Sequence, residues 1–214
     1  MSTLVAMKVI GCSDTNDLVG KSLDWLRNTV EVHDLKSIFI PAGKSPIPLY
    51  QELERIHPQF MDDLRLIQID DLPEGQRKGM FRQFFKDQLP SYQSQIHGLD
   101  AGEVSGDATI LGLGVNGHVA FHEPSLPVNF TYGKVLLSDP TCENLKIPKG
   151  SVGQTYGLGH FLATSRVLMI VSGQAKQEAF SKLIKGDLSI PASQLCQHSD
   201  FTVLYLSSEL SLES

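Results

Sequence analysis

His118, His122 and Glu123 fall within the stretch ILGLGVNGHVAFHEP, residues 110–124. An imidazole near neutral pH can carry a proton in either direction. A carboxylate beside it can orient the ring and raise its basicity. An isolated histidine in such a turn can equally be a satisfied core residue, and the stretch alone leaves both open. A metal site would draw on the same three side chains, but no further ligand cluster completes it, so no metal is expected. Gly112, Gly114 and Gly117 give a G-x-G-x-x-G spacing. A dinucleotide turn needs a helix starting at those glycines. Pro124 and Pro127 follow too soon for a long one. The glycines are read instead as a turn that lets the backbone approach a ligand closely.

Two other loops carry chemistry-bearing residues. Gly43-Lys44-Ser45 in IPAGKSP matches the tail of a nucleotide-binding P-loop, but that loop's first glycine would fall at Ile38, inside an apolar run. A Gly-Lys-Ser turn opening a helix still presents free N–H groups, a hydroxyl and a positive dipole end, which is an anion site. The competing expectation is a plain helix start, with Ser45 as cap and Pro46 in the first turn. In QIDDLPEG, Asp70 and Asp71 end an apolar run. Neighbours on an extended chain point to opposite sides, so at most one faces a pocket. A solvated acidic turn, supported by Pro73 and Gly75, is the alternative.

These loops need elements to hold them. Residues 14–28 place Leu18, Leu23 and Leu26 on one helical stripe. KSIFIPAG, LRLIQID, DATILGLG, SRVLMIVSG and FTVLYL read as strands. SPIPLYQELERI, GMFRQFFKDQL (with Phe81, Phe84, Phe85 and Leu89 inward) and AKQEAFSKLIKG read as helices. The alternation predicts an α/β fold, a mostly parallel Rossmann-like sheet with helices on both faces, in a single domain over 1–214. Ligands in such sheets sit outside the carboxyl ends of the strands, where all three loops fall. Residues 126–165, rich in Gly, Pro and Thr, are expected to form a flap over the site.

Bulk properties narrow the class. A chain of 214 residues, 41% hydrophobic and 20% charged, can bury a core without staples. A net charge of −6 disfavours nucleic acid as a partner while leaving room for a local cationic pocket. Cys12, Cys142 and Cys196 are odd in number and far apart, against a disulfide framework and for a reducing cytosol. MSTLVAMKVIGC lacks the charged start of a signal peptide, and no run is long enough to span a membrane. A cytoplasmic location is therefore expected, without membrane partners.

In order and in strand context, PAGKSP, IDDLPEG and LGLGVNGHVAFHEP resemble the amino-sugar-phosphate isomerase–deaminases, typified by glucosamine-6-phosphate deaminase. That family shows a T-G-x-T/S-P turn, a D-E turn, then L-G-x-G-x-[DN]-G-H-x-x-[FL]-N-E-P. The segment from Leu168 to Leu204 is similar to its closing strand–helix–turn–strand. The G-H-x-x-F-x-E-P block is the most specific part. The Asn-Gly-His form and the PASQLCQH ending look closest to the galactosamine-6-phosphate branch. The resemblance implies a phosphate on Gly43, Lys44 and Ser45, with Lys176 as a second contact. It implies that His118 moves a proton at the ring oxygen, that Glu123 orients His118, and that Asn116 stands beside this pair. Asp70 would carry a proton from C2 to C1, and ammonia would leave C2. No metal or organic cofactor is implied; the partner is a small sugar phosphate, and a homo-oligomer would not be surprising.

The chain departs from the family at several points. Asn116 stands where the deaminases mostly carry Asp; an amide can hydrogen-bond but supplies no negative charge. His122 replaces an Asn. No Arg occurs between Arg82 and Arg166, where the family has a phosphate contact, leaving Lys146 or Lys149 as substitutes. Two alternatives follow from the same fold: a 6-phosphogluconolactonase, whose G-H turn normally leads into a run such as T-A-S-L-F-P, and a sugar-phosphate-binding protein without turnover.

Overall fold

The computed structural model describes residues 7–212; Met1–Ala6, the first half of the stretch read for a leader, and Glu213–Ser214 lie outside it. The chain opens with strand β1 (Lys8–Cys12), helix α1 (Thr15–Arg27), strand β2 (Ser37–Ile40) and helix α2 (Ile47–Ile56). Strands β3 (Arg65–Gln68) and β4 (Asp70–Asp71), helix α3 (Met80–Gln88) and strands β5 (Ile96–His97) and β6 (Ala108–Gly112) follow. The second half holds β7 (Tyr132–Leu136), α4 (Asp139–Leu145), β8 (Val152–Tyr156), α5 (Leu158–Ala163), β9 (Arg166–Val171), α6 (Gln177–Ile184) and β10 (Phe201–Leu206).

Seven strands form one sheet in the order β1-β10-β9-β6-β2-β3-β5, and every pairing in it is parallel. Such a sheet must be covered on both faces, and side-chain alternation decides which residues go where. Ile38, Ile40, Leu66, Ile110, Leu168, Ile170 and Leu204 pack on one side against Leu18 and Leu26 of α1, Leu49 and Leu53 of α2 and Phe85 of α3. Phe39, Ile67, Leu111, Val167, Met169 and Val203 pack on the other against Phe161 of α5 and Phe180 and Leu183 of α6. Asp14 caps α1 by accepting the Asp17 N–H at 2.9 Å. Of the phenylalanines expected inward on α3, Phe85 is buried and Phe84 half-buried against Tyr50, while Phe81 turns toward Phe121.

Residues 126–165 hold more structure than their composition signals. β7 and β8 form a hairpin that joins β4 in a three-stranded antiparallel sheet. Leu72, Phe121, Val135, Leu137 and Cys142 give this sheet and α4 a core of their own. β4 therefore hands the chain from the parallel sheet, one residue after β3, to the antiparallel one. The three cysteines are unpaired. Among the described residues no helix is long and apolar enough to cross a membrane.

Candidate active site

The carboxyl ends of β2, β3, β6 and β9 open onto a cleft of about 430 Å³. The strand order reverses between β2 and β6, and a cleft forms at such a reversal. Gly43, Lys44, Ser45, Asp70, Asn116, His118 and Lys176 all line it. Glu123 stands behind His118. The sequence-predicted groups thus meet in one cavity, although they come from four separate strand ends.

At one end the Lys176 Nζ donates to the Ser45 Oγ at 2.9 Å, and the Ser172 hydroxyl donates to the same oxygen at 3.1 Å. Ser45 is therefore not the helix cap that its position suggested. α2 starts at Ile47, the cap position is Pro46, and the Ser45 side chain makes no capping bond. Its hydroxyl lines the cleft instead, where it meets Lys176 and Ser172. Gly43 has φ 109°, a conformation other residues rarely adopt. Burial lowers the Lys176 ammonium to about 8, partly offset by Glu209. Lys146 and Lys149 do not replace the missing Arg. Neither lines the cleft, and Lys149 is spent on the surface with Asp139 at 2.7 Å and Glu143 at 3.5 Å.

The adjacent acids divide their work. Asp71 accepts the Leu72, Phe81 and Arg82 N–H groups at 2.8, 3.1 and 2.9 Å, and the Gln68 amide at 3.0 Å. It caps α3 from a distance, satisfying two of the orphan donors of its first turn. Asp70 points the other way, into the cleft. It is 6% exposed, and its buried Oδ1 has no hydrogen-bond partner. Burial, with the Asp71 charge adding to it, pushes the Asp70 carboxyl well above the usual carboxylate range. A starved carboxylate of this kind is basic.

Opposite stands His118, its side chain 19% exposed. The ring lies so close to Gly114 that a Cβ there would meet it at 2.4 Å, so this glycine is required by contact with the imidazole. Glu123 is 2% exposed and hydrogen-bonded at both oxygens. Its Oε1 accepts the Thr141 hydroxyl at 2.6 Å and the Ser138 N–H at 3.3 Å; its Oε2 accepts the Asn116 amide at 3.3 Å. The same Oε2 lies 4.0 Å from the His118 Nδ1, which has no hydrogen-bond partner. Asn116 does not face the imidazole ring. Its Oδ1 accepts the His118 backbone N–H at 3.2 Å while its amide holds Glu123, so it ties the two ends of the turn together. Burial lowers the His118 pKa; Glu123 opposes that shift and Lys176 adds to it.

His122 is structural. It is buried, its Nδ1 accepts the Leu158 N–H at 3.2 Å at the start of α5, and its ring packs against Phe130. Burial lowers it to about 4, so it is neutral near pH 7. Among the described residues, no group of His, Cys, Asp and Glu is arranged to hold a metal ion.

This constellation has relatives. The chain is similar to glucosamine-6-phosphate deaminases. It is 25% identical over 228 residues to that enzyme from Lactobacillus delbrueckii subsp. bulgaricus, covering 92% of this chain and 96% of the relative. It is 28% identical over 232 residues to the one from Bacillus velezensis, with the same coverage. Among solved structures, a monomeric glucosamine-6-phosphate deaminase superposes with a TM-score of 0.82 at 23% identity, over 97% of this chain and 100% of that one. The 6-phosphogluconolactonase from Trypanosoma cruzi follows the same fold, with a TM-score of 0.72 at 16% identity over 98% and 96%. No family model matches the sequence.

Several cleft residues escape sequence reasoning. Thr141, Asn144 and Leu145 of α4 form one wall with Phe81 and Phe121. The Ser138-x-x-Thr141 spacing is a helix-start signal; it lay inside a stretch read only by composition. Ser172, directly after β9, is marked by nothing but its place at a strand end.

Proposed function

We propose that this chain is an amino-sugar-phosphate isomerase–deaminase, converting glucosamine 6-phosphate or galactosamine 6-phosphate to the ketohexose 6-phosphate and ammonia, in the cytoplasm. One observation carries this reading: Asp70, His118 and the Lys44–Ser45/Lys176 cradle face a single cleft, and the carboxyl of Asp70 is left without a partner.

The phosphate sits on the Gly43–Ser45 backbone and hydroxyl with Lys176 beside it. Held there, the remote phosphate positions C2 at Asp70. Opening the ring breaks the C1–O5 bond, removes a proton from the C1 hydroxyl and adds one to O5. His118, neutral near pH 7, takes the first and gives the second, and Glu123 stabilises the imidazolium formed between. Asp70 then removes the C2 proton and returns it to C1, while O1 gains one proton and the C2 nitrogen gives one up, leaving a C1 hydroxyl and an imine at C2. Water adds to the C=N carbon and ammonia departs, so the nitrogen leaves without any change of net oxidation level. The C2-to-C1 transfer and the ring-opening transfer use side chains already in the cleft, Asp70 and His118.

The deciding assay is ammonia release from glucosamine 6-phosphate and galactosamine 6-phosphate, beside hydrolysis of 6-phosphogluconolactone. Ammonia from either amino sugar supports the proposal, and the ratio of the two rates fixes the preferred epimer. Lactone consumption alone would move the chain to the hydrolases whose fold it shares. Tight binding of both sugar phosphates with neither product would make it a binding protein.

A further inference from the structure

Glu123 receives its fixed bonds from α4 and from Asn116. The Thr141 hydroxyl and the Ser138 N–H both end on Oε1, and the Ser138 hydroxyl donates to the Thr141 oxygen at 3.1 Å. The helix that carries this clasp is also a wall of the cleft, through Pro140, Thr141 and Asn144. Oε2 is left with only the long Asn116 contact and the imidazole at 4.0 Å. A charge-assisted hydrogen bond needs about 2.7–2.9 Å, so the pair is about 1 Å short of engagement.

The geometry points to Thr141 as a positioning residue, which fixes Glu123 so that its free oxygen faces His118 and thereby links the α4 wall of the cleft to the imidazole. Pinning one carboxylate oxygen removes the rotation that would turn both away from the ring. The family's Asp at position 116 would supply a second charge near the histidine; with Asn there, orientation of Glu123 matters more. The clasp comes from a different segment than the histidine, so whatever fills the cleft against α4 also presses on the carboxylate. In the proposed deaminase this tunes ring opening, and the inference rests on that reading for its catalytic consequence only.

The titratable and charged groups facing the imidazole are Glu123 on its own loop and Lys176 after β9, with Asp70 on β4 and Lys44 after β2 lining the same cleft. Of these, Thr141 touches Glu123 alone. The test compares Thr141→Val, which keeps the shape and loses the hydroxyl, with Thr141→Ser, which keeps the hydroxyl. Two readouts are taken: steady-state ammonia release, and the titration of the His118 ring protons by NMR without substrate. Thr141→Val is expected to lower kcat about ten- to a hundredfold, the scale of an ångström of misplacement, with KM within about twofold. Thr141→Ser should restore kcat to within about threefold. The His118 midpoint should move down in the valine variant and stay put in the serine one, because a loosened Glu123 no longer supports the imidazolium. An unchanged midpoint in Thr141→Val, or equal losses in both variants, would overturn the role. A shifted midpoint in a protein that releases no ammonia from either sugar would keep the clasp and remove the deaminase reading. Thermal melting of both variants checks folding, and the serine variant stands as the test if the valine one fails to fold.

Discussion

The β4 corner and the α4 corner of the cleft each bury a carboxylate, and they treat it in opposite ways. Glu123, between α4 and the Gly114–Gly117 turn, is surrounded by donors from Thr141, Ser138 and Asn116. Asp70 has an oxygen with no hydrogen-bond partner among the described residues. A carboxylate pinned by several donors is a fixed charge, good for orienting a neighbour. One with an empty lone pair in a dry site is costly and reactive. The same residue chemistry thus gives a scaffold at one corner and, in the proposed deaminase, a base at the other. Asp71, one residue from Asp70, repeats the contrast at the shortest range.

Asp70→Asn should break the reactive side most severely. Ammonia release is expected to fall by about 10²–10⁴-fold, the usual worth of a general base, while sugar-phosphate affinity stays within about tenfold. The stability effect has the opposite sign. The Asp70 carboxyl titrates above its unfolded value, so its contribution is present at low pH and is lost as pH rises through the folded value. The asparagine variant should therefore melt above the wild type at pH 8, with the gap shrinking toward pH 4. A variant that kept turnover would remove Asp70 as the base.

Glu123→Gln attacks the other side. The new amide places a donor among donors, and a buried unsatisfied group costs about 1–3 kcal/mol. kcat should fall about ten- to a hundredfold through the misaligned imidazole. Melting like the wild type would mean that Glu123 is not held as described. Lys176→Met should raise the Kd for sugar phosphate about tenfold, the scale of one charge-assisted hydrogen bond. Since the lysine titrates at about 8 in the empty cleft, wild-type affinity should decline above pH 8, and that decline should vanish in the variant. Isothermal titration between pH 7 and 10 measures both.

His122→Asn is the mildest: turnover should stay within about threefold. The His122 pKa is depressed to about 4, so the neutral ring stabilises the fold above the unfolded value near 6.5, and that contribution is lost as pH falls from there toward 4. Acid melting of the variant should lack this part of the decline. A large loss of kcat would instead place His122 in the chemistry.

The parallel sheet was legible because its strands are short apolar runs closed by Pro41, Gly112 and Gly173, with a helix stripe after the first and the last. The site loops followed from the rule that ligands gather at strand ends. Residues 126–165 were not legible, because five-residue strands such as β7 and β8 and a seven-residue helix such as α4 have too little periodicity to announce themselves. The partners of Glu123 were hidden for the same reason. The role of Ser45 stayed open in the sequence because capping and anion binding use the same hydroxyl; the structure shows no capping bond and places that hydroxyl against Ser172 and Lys176. Lys146 and Lys149 misled because charge can be counted along a sequence, whereas its direction depends on a helix end that the sequence did not reveal.

β4 consists of Asp70 and Asp71 alone, opposite Thr155 and Gln154. A slip by a single step would exchange the two faces of the strand. The wrong acid would then enter the cleft, and the first turn of α3 would lose the carboxylate that ties it down. An assembly error and a chemical error would therefore arrive together. Misfolded copies of this chain should announce themselves by fraying at Phe81 and Arg82, where hydrogen exchange can catch them, rather than persisting as well-folded dead enzyme.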